Sequence, residues 1–310
     1  MSVDLNILNA IGNTSLVQLG KVVPLGCAKV FVKLEWENPT GSMKDRAAKA
    51  MLLKAEKDGK VKPGDTIVEY TGGSTGISLA LICVVNGYHL NIITSDAFSK
   101  DKLNQMKAFG AELTLIPSES GLTTKKLILD MLEAAEEFSK EPHTYWTNQL
   151  SNIDSISGYY SLGEEIWDQT NGEVGAFVQC VGTAASLRGT ATALKHHNSR
   201  VKIIAVEPGE SPVLSGGKAG PHKIEGVGIG YKPPLWDNTI VDEIIPVNTE
   251  DAKSMTRRLA REEGLFAGTS SGANVIAAIQ AGMKLGPDAT IVTLMVDSGI
   301  KYLSTDVYSL

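Results

Sequence analysis

A series of short, largely apolar runs constrains the fold of this chain more than any other feature. Val30 to Trp36, Thr66 to Tyr70, Leu90 to Thr94, Glu112 to Ile116, Ala176 to Val181, Val201 to Val206, Glu243 to Val247 and Thr290 to Val296 read as strands. Most of them do not alternate between apolar and polar. A strand with one wet face alternates, whereas a strand buried on both faces does not, and parallel sheets covered by helices provide that burial. Helical patterns fall between the runs. In Thr124 to Ser139, the residues Ile128, Met131, Leu132, Ala135 and Phe138 form one apolar stripe. Asp251 to Glu263 and Ala273 to Lys284 also read as helices. The alternation predicts an α/β fold with open, mostly parallel sheets flanked by helices.

At 310 residues the chain is long enough for about two domains. The segment Lys140 to Asp154 is polar and contains a proline, so it reads as a hinge. Pro208 to Asn238 is rich in Gly and Pro with little periodicity, and long irregular stretches of this kind are usually functional. The net charge is −6 and no basic block runs along the chain, which argues against a nucleic-acid partner. No apolar run reaches the length of a membrane span, and the first residues do not read as a signal peptide. Cys27, Cys83 and Cys180 sit in apolar contexts and read as buried free thiols of a reducing, cytoplasmic compartment. Neither they nor the histidines show metal-ligand spacing, and His196-His197 reads as a solvated surface pair.

Four loops share one grammar: a strand ends, small residues follow, and a helix begins. Open α/β sheets place ligands at strand C-terminal ends, and helix N-termini present free N–H groups to anions. In Asn38-Pro39-Thr40-Gly41-Ser42-Met43-Lys44-Asp45, Ser42 and Asp45 have capping-box spacing, which places Lys44 in the first turn of a helix. An ammonium there faces the positive end of the dipole, its pKa should fall, and such an amine suits imine chemistry. Glu69-Tyr70-Thr71-Gly72-Gly73-Ser74-Thr75-Gly76 offers hydroxyls and bare backbone to a carboxylate or phosphate. Gly182-Thr183-Ala184-Ala185-Ser186 has the makings of a phosphate cup, yet it lacks the Gly-Lys-Ser/Thr ending of a P-loop and the G-x-G-x-x-G order of a dinucleotide site. Gly268-Thr269-Ser270-Ser271-Gly272 precedes the last long helical pattern and by itself reads as a cap. A phosphorylated aldehyde cofactor forming an imine with Lys44 would use all four loops.

These residues carry a resemblance. The segments IGNTSLVQL, ENPTGSMKDRAA, TGGSTG, SKDKLNQMKAFGAEL, VGTAAS, HKIEGVGIG, GLFAGTSSGA and DSGIKYLST occur in the order found in fold-type II pyridoxal-phosphate enzymes. Within these, the chain is similar to the cysteine synthase and cystathionine β-synthase group. The resemblance implies a two-domain, tryptophan synthase β-like fold, with a smaller mobile domain over 41–148 and a larger phosphate-binding domain over 1–40 plus 149–310. It implies pyridoxal 5'-phosphate as cofactor and a cytoplasmic homodimer. By the same resemblance, Lys44 is the lysine that holds the cofactor and takes the substrate Cα proton. Gly182, Thr183, Ala184, Ala185 and Ser186 form the phosphate cup, and Ser270 is the hydroxyl partner of the pyridine nitrogen. Thr71, Gly72, Ser74 and Thr75 form the substrate-carboxylate loop, Gln149 makes a further carboxylate contact, and Gly226 lies where the cleft narrows. The implied reaction expels a β substituent from an O-activated L-serine and adds sulfide or a thiol, giving L-cysteine.

The chain departs from the family pattern at identifiable places. In the family's Thr-Ser-Gly-Asn-Thr the Asn hydrogen-bonds the cofactor's ring oxygen; here Gly72 and Ser74 stand at the second and fourth positions, so the resemblance implies that Ser74 makes that cofactor contact from a shorter side chain while Gly72 frees the loop backbone. Two glycines of the cup are replaced by Ala184 and Ala185, which is costly where the backbone is left-handed. The usual Pro-Ala-Asn continuation after Asn152 is absent. Elimination with release of sulfide, as in a desulfhydrase or lyase, and cystathionine-forming condensation are therefore the alternative outcomes on the same cofactor. A catalytically silent binding protein is the alternative from another class, and the intact Lys44 motif argues against it.

Overall fold

A computed structural model of the chain describes residues 6–119 and 124–309. The outer ends of the predicted domains, residues 1–5 and 310, lie outside these, as do 120–123. In chain order the strands are β1 (Leu16–Gln18), β2 (Lys29–Leu34), β3 (Thr66–Tyr70), β4 (His89–Ser95), β5 (Glu112–Ile116), β6 (Thr144–Trp146), β7 (Ala176–Cys180), β8 (Lys202–Pro208), β9 (Glu243–Val247) and β10 (Thr290–Met295). The helices are α1 (Lys44–Lys57), α2 (Ser74–Asn86), α3 (Lys100–Ala108), α4 (Lys125–Phe138), α5 (Asp154–Ser157), α6 (Tyr160–Gln169), α7 (Ala185–His197), α8 (Thr249–Arg258) and α9 (Thr269–Leu285). The fold is α/β with mostly parallel sheets. Every predicted strand is present, with ends shifted by at most two residues. The helix predicted over 251–263 is α8 followed by a π-helical turn at Leu259–Glu263, closed by left-handed Gly264.

The chain divides into two compact units. The smaller takes residues up to Ile11 together with Lys44–Gly158, and the larger takes Gly12–Met43 with Tyr159 onward. These edges differ from 41 and 148 for a physical reason. Leu8 is buried in the smaller unit's core, and Lys49 Nζ donates to its carbonyl at 2.7 Å. Gly158 lies so close to α1 that a Cβ there would sit 2.4 Å from the Arg46 carbonyl oxygen. The segment 140–154 is not a polar hinge: it contains β6 and leads into α5.

The smaller unit holds a parallel four-stranded sheet in the order β5-β4-β3-β6. Ile67 and Ile92 belong to the core under α1, α2 and α3, whereas their chain neighbours Val68 and Ile93 belong to the core under α4. Adjacent residues of a strand point to opposite faces, and both faces are covered, so the runs are apolar without alternation. The larger unit holds a six-stranded sheet in the order β1-β2-β10-β7-β8-β9, parallel except for β1 against β2. The irregular 209–240 segment after β8 is organised by buried Glu207, whose Oε2 accepts from Leu214 N at 2.7 Å and whose Oε1 accepts from Ser215 N at 3.2 Å.

Each sheet has one place where the strand order reverses. In the smaller unit it lies between β3 and β6, in the larger between β7 and β10. Crevices outside the strand C-termini at such points are where open α/β sheets hold ligands.

Candidate active site

In the smaller unit the reversal joins two predicted site elements. Val68 pairs with Trp146, so the parallel strands β3 and β6 deliver Thr71–Thr75 and Thr147–Gln149 side by side. Thr75 Oγ1 donates to Gln149 Oε1 at 2.7 Å, and Gln149 Nε2 donates to the Tyr70 carbonyl at 3.3 Å. The loop is shaped by Thr71, whose Oγ1 accepts from Gly73 N at 3.1 Å. Gly73 is the N-cap of α2, and Ser74 is its first residue. The positive end of α2 therefore stands beside the Thr75 and Ser74 hydroxyls and the Gln149 amide, a set suited to a carboxylate.

Beneath the glycines and hydroxyls lies a residue of the same loop motif to which the sequence assigned no role. Glu69 is fully buried. Its Oε2 accepts from Thr147 Oγ1 at 2.6 Å and Gln149 N at 3.0 Å, and its Oε1 accepts from Tyr70 N at 3.0 Å. Burial raises its pKa to about 7, against the lowering effect of these donors. A carboxylate inside an otherwise apolar strand, Thr-Ile-Val-Glu-Tyr, is the sequence signal that marks it.

Gly72 has a steric role rather than a loosening one. Its φ is not left-handed. A Cβ on Gly72 would lie 2.0 Å from Phe98 Cγ, because the Phe98 ring lies against the loop backbone. The glycine makes room for that ring, so the loop is braced where the sequence suggested freedom.

Lys44 is the first residue of α1 and is partly buried. The helix therefore begins beyond Met43, and Ser42 stands one position outside the cap that its spacing with Asp45 predicts. Ser42 forms an isolated antiparallel bridge with Asp297. Met43 N donates to Val296 O at 3.0 Å, which ties the residue preceding Lys44 to the end of β10.

In the larger unit the reversal between β7 and β10 carries the predicted cup. Gly182 is required by space: a Cβ there would lie 2.4 Å from the Gly226 carbonyl oxygen. Gly226 itself has φ +79°, and Gly228 N donates to Val181 O at 3.0 Å, so this segment packs against the cup. Ala184 is the N-cap of α7 and is left-handed, with φ 70° and ψ −10°. Ala185 is helical. Ala184 offers no capping side chain, Ala185 N donates to Thr183 Oγ1 at 3.4 Å, and the Thr183 and buried Ser186 hydroxyls lie at the positive end of a 13-residue helix. Bare backbone and two hydroxyls at a helix start fit a phosphate dianion.

Ser270, in the first turn of α9, is buried near the same strand end. Cys180 Sγ lies 3.6 Å from the Ser270 carbonyl, and Asn274 links the elements by accepting from Cys180 N at 2.7 Å and donating to Leu294 O at 2.9 Å. Burial holds the Cys180 thiol far above its ordinary pKa, so it is inert. The predicted residues thus fall into two sets. Lys44, Thr71, Gly72, Ser74, Thr75 and Gln149 belong to the smaller unit, and the cup, Gly226 and Ser270 belong to the larger.

Known proteins resemble this chain along nearly its whole length. The family model described as pyridoxal-phosphate dependent enzyme matches residues 7–297. A cysteine synthase of Staphylococcus aureus (strain Mu50 / ATCC 700699) is 43% identical over 307 residues, covering 98% of this chain and 97% of its own. A probable cysteine synthase of Bacillus subtilis (strain 168) is 40% identical over 309 residues, with coverage of 98% and 97%. The crystal structure of a cysteine synthase from Entamoeba histolytica superposes with a TM-score of 0.92 at 38% identity, covering 100% of this chain and 92% of that one.

Proposed function

The chain belongs to the pyridoxal-phosphate dependent enzyme family, and from that premise we propose that it makes L-cysteine from O-acetyl-L-serine and sulfide. Bound pyridoxal 5'-phosphate supplies an electron sink that acidifies the substrate Cα–H. Lys44 contributes the amine that holds the cofactor's aldehyde carbon, and the same nitrogen takes the Cα proton. Gly182, Thr183, Ala184, Ala185 and Ser186 hold the phosphate at the start of α7. Ser270 is the partner of the pyridine nitrogen. A neutral hydroxyl there does not keep that nitrogen protonated as a carboxylate would, and this favours loss of a β substituent over transamination. Thr71, Gly72, Ser74, Thr75 and Gln149 receive the substrate carboxylate, and Gly226 borders the space for the side chain.

The observation that carries this reading is the joining of Thr75 to Gln149 at a sheet reversal, in a chain similar along almost its whole length to cysteine synthases. The test is product analysis of the purified enzyme with O-acetylserine, with and without sulfide. Cysteine formed in proportion to sulfide supports replacement, whereas pyruvate and ammonia as the main products with sulfide present overturn it in favour of elimination. Lys44→Ala should lose both the visible cofactor band and turnover. Retained turnover would remove Lys44 from the mechanism. A homodimer located in the cytoplasm completes the proposal and is tested by sedimentation and by fractionation. No helix among the described residues is long and apolar enough to cross a membrane.

A further inference from the structure

One fully buried polar side chain of the larger unit has no role in the reading so far. Gln179 lies on β7 in the run Ala-Phe-Val-Gln-Cys and has no exposed surface. Strand alternation sends its neighbour Cys180 toward Ser270 of α9 and sends Gln179 the other way. There its Nε2 donates to Ser186 Oγ and lies 3.7 Å from Met43 Sδ. Its Oε1 has no hydrogen-bond partner among the described residues. An uncompensated buried amide oxygen is costly, so packing alone would favour an apolar residue at this position.

We infer that Gln179 is a positioning residue that sets the Ser186 hydroxyl as a hydrogen-bond donor to the cofactor phosphate. The inference rests on the reading of 182–186 as the phosphate cup. A serine hydroxyl has one proton and two lone pairs. With the Gln179 amide occupying one lone pair, the proton cannot turn toward Gln179 and is directed to the remaining acceptors, of which a dianion at the helix start is the strongest. A neutral amide performs this role without placing a second negative charge beside the phosphate. A glutamate would orient the hydroxyl the opposite way and repel the ligand as well.

The test is a double-mutant cycle on the holoenzyme. The dissociation constant of pyridoxal 5'-phosphate is read from the visible band over a dilution series, and the phosphorus-31 chemical shift of the bound cofactor is read in parallel. Ser186→Ala should weaken binding at least about tenfold, the scale of one hydrogen bond to a charged group. Gln179→Met, and Gln179→Leu as a second variant of similar volume, should also weaken it about fivefold and move the phosphorus resonance. In the Ser186→Ala background the same changes should add less than twofold, whereas in Ser186→Thr, which keeps the hydroxyl, they should retain their full effect. Equal losses in both backgrounds would reduce Gln179 to a packing role and overturn the inference. Unchanged or tighter binding in the Gln179 variants would also overturn it, tighter binding meaning that the amide oxygen had been drawing the hydroxyl proton away. If Ser186→Ala itself leaves affinity unchanged, the cup assignment fails and the inference fails with it, a result distinguishable from the other two.

Discussion

Ala184 and Ala185 allow one backbone argument to be tested at neighbouring positions. Both side chains are buried, at 3% and 2% exposure, and both stand where the family carries glycine. Ala184 is left-handed at φ 70°, and Ala185 is in the helix. Changing either to glycine removes one buried methyl, worth about 0.8 kcal/mol, and raises the entropy of the unfolded chain by a similar amount. These two costs are common to both variants. Only Ala184→Gly also relieves a left-handed alanine, worth about 1–2 kcal/mol. Ala185→Gly should therefore destabilise the protein by roughly 1.6 kcal/mol, while Ala184→Gly should stay near wild type, leaving a gap of about 1–2 kcal/mol between them. Urea unfolding at one saturating cofactor concentration measures that gap, because ligand binding then contributes alike to every variant of unchanged affinity. Equal destabilisation by the two substitutions would refute the claim that Ala184 carries strain.

Three further outcomes follow from the geometry. The folded state holds the Glu69 proton up to about pH 7, against about 4.5 for the ordinary carboxyl, so the folded chain binds more protons in that window and this contribution to stability is lost as pH rises through it. Relative to Glu69→Gln, wild type should lose about 3 kcal/mol between pH 4 and pH 8, read from urea midpoints, and parallel pH profiles would contradict the assignment. Gly72→Ser places an atom into the Phe98 ring, so it should raise KM for O-acetylserine about tenfold with a smaller change in kcat, and Phe98→Ala should restore it; failure of the rescue would show that the ring is not what the glycine accommodates. Lys33, with no exposed side-chain surface, is paired with Glu165 at 2.7 Å, and Glu165→Ala should cost about 3 kcal/mol in urea unfolding by removing a charge held against the buried ammonium.

The strand runs were legible because burial on both faces leaves a one-dimensional signature: Ile67 and Val68, or Ile92 and Ile93, are consecutive yet serve different cores. The short edge strands were not. β1 has three residues, largely exposed, and β6 sits in a segment whose polarity suggested a hinge. An edge strand is defined by its partner's free hydrogen-bonding groups more than by its own composition, so a local pattern understates it. The loop residues of the candidate site were legible because glycines and hydroxyls before a helix are a local device for anions. Their supports, Glu69, Phe98, Gln179 and Asn274, were not, because each acts on a residue brought near by strand pairing or helix packing.

The order of buried strands, the helix starts after small-residue loops and the Lys44 motif are properties of neighbouring residues, and reading along the chain was enough to identify them. The reversal of strand order, the glycine at position 72 that makes room for a ring from another loop, and the amide of Gln179 held against Ser186 depend on pairings among strands and loops from separate stretches of the chain. Those were decided only when the sheets formed, because hydrogen bonds and packing at a point in space are indifferent to distance along the chain.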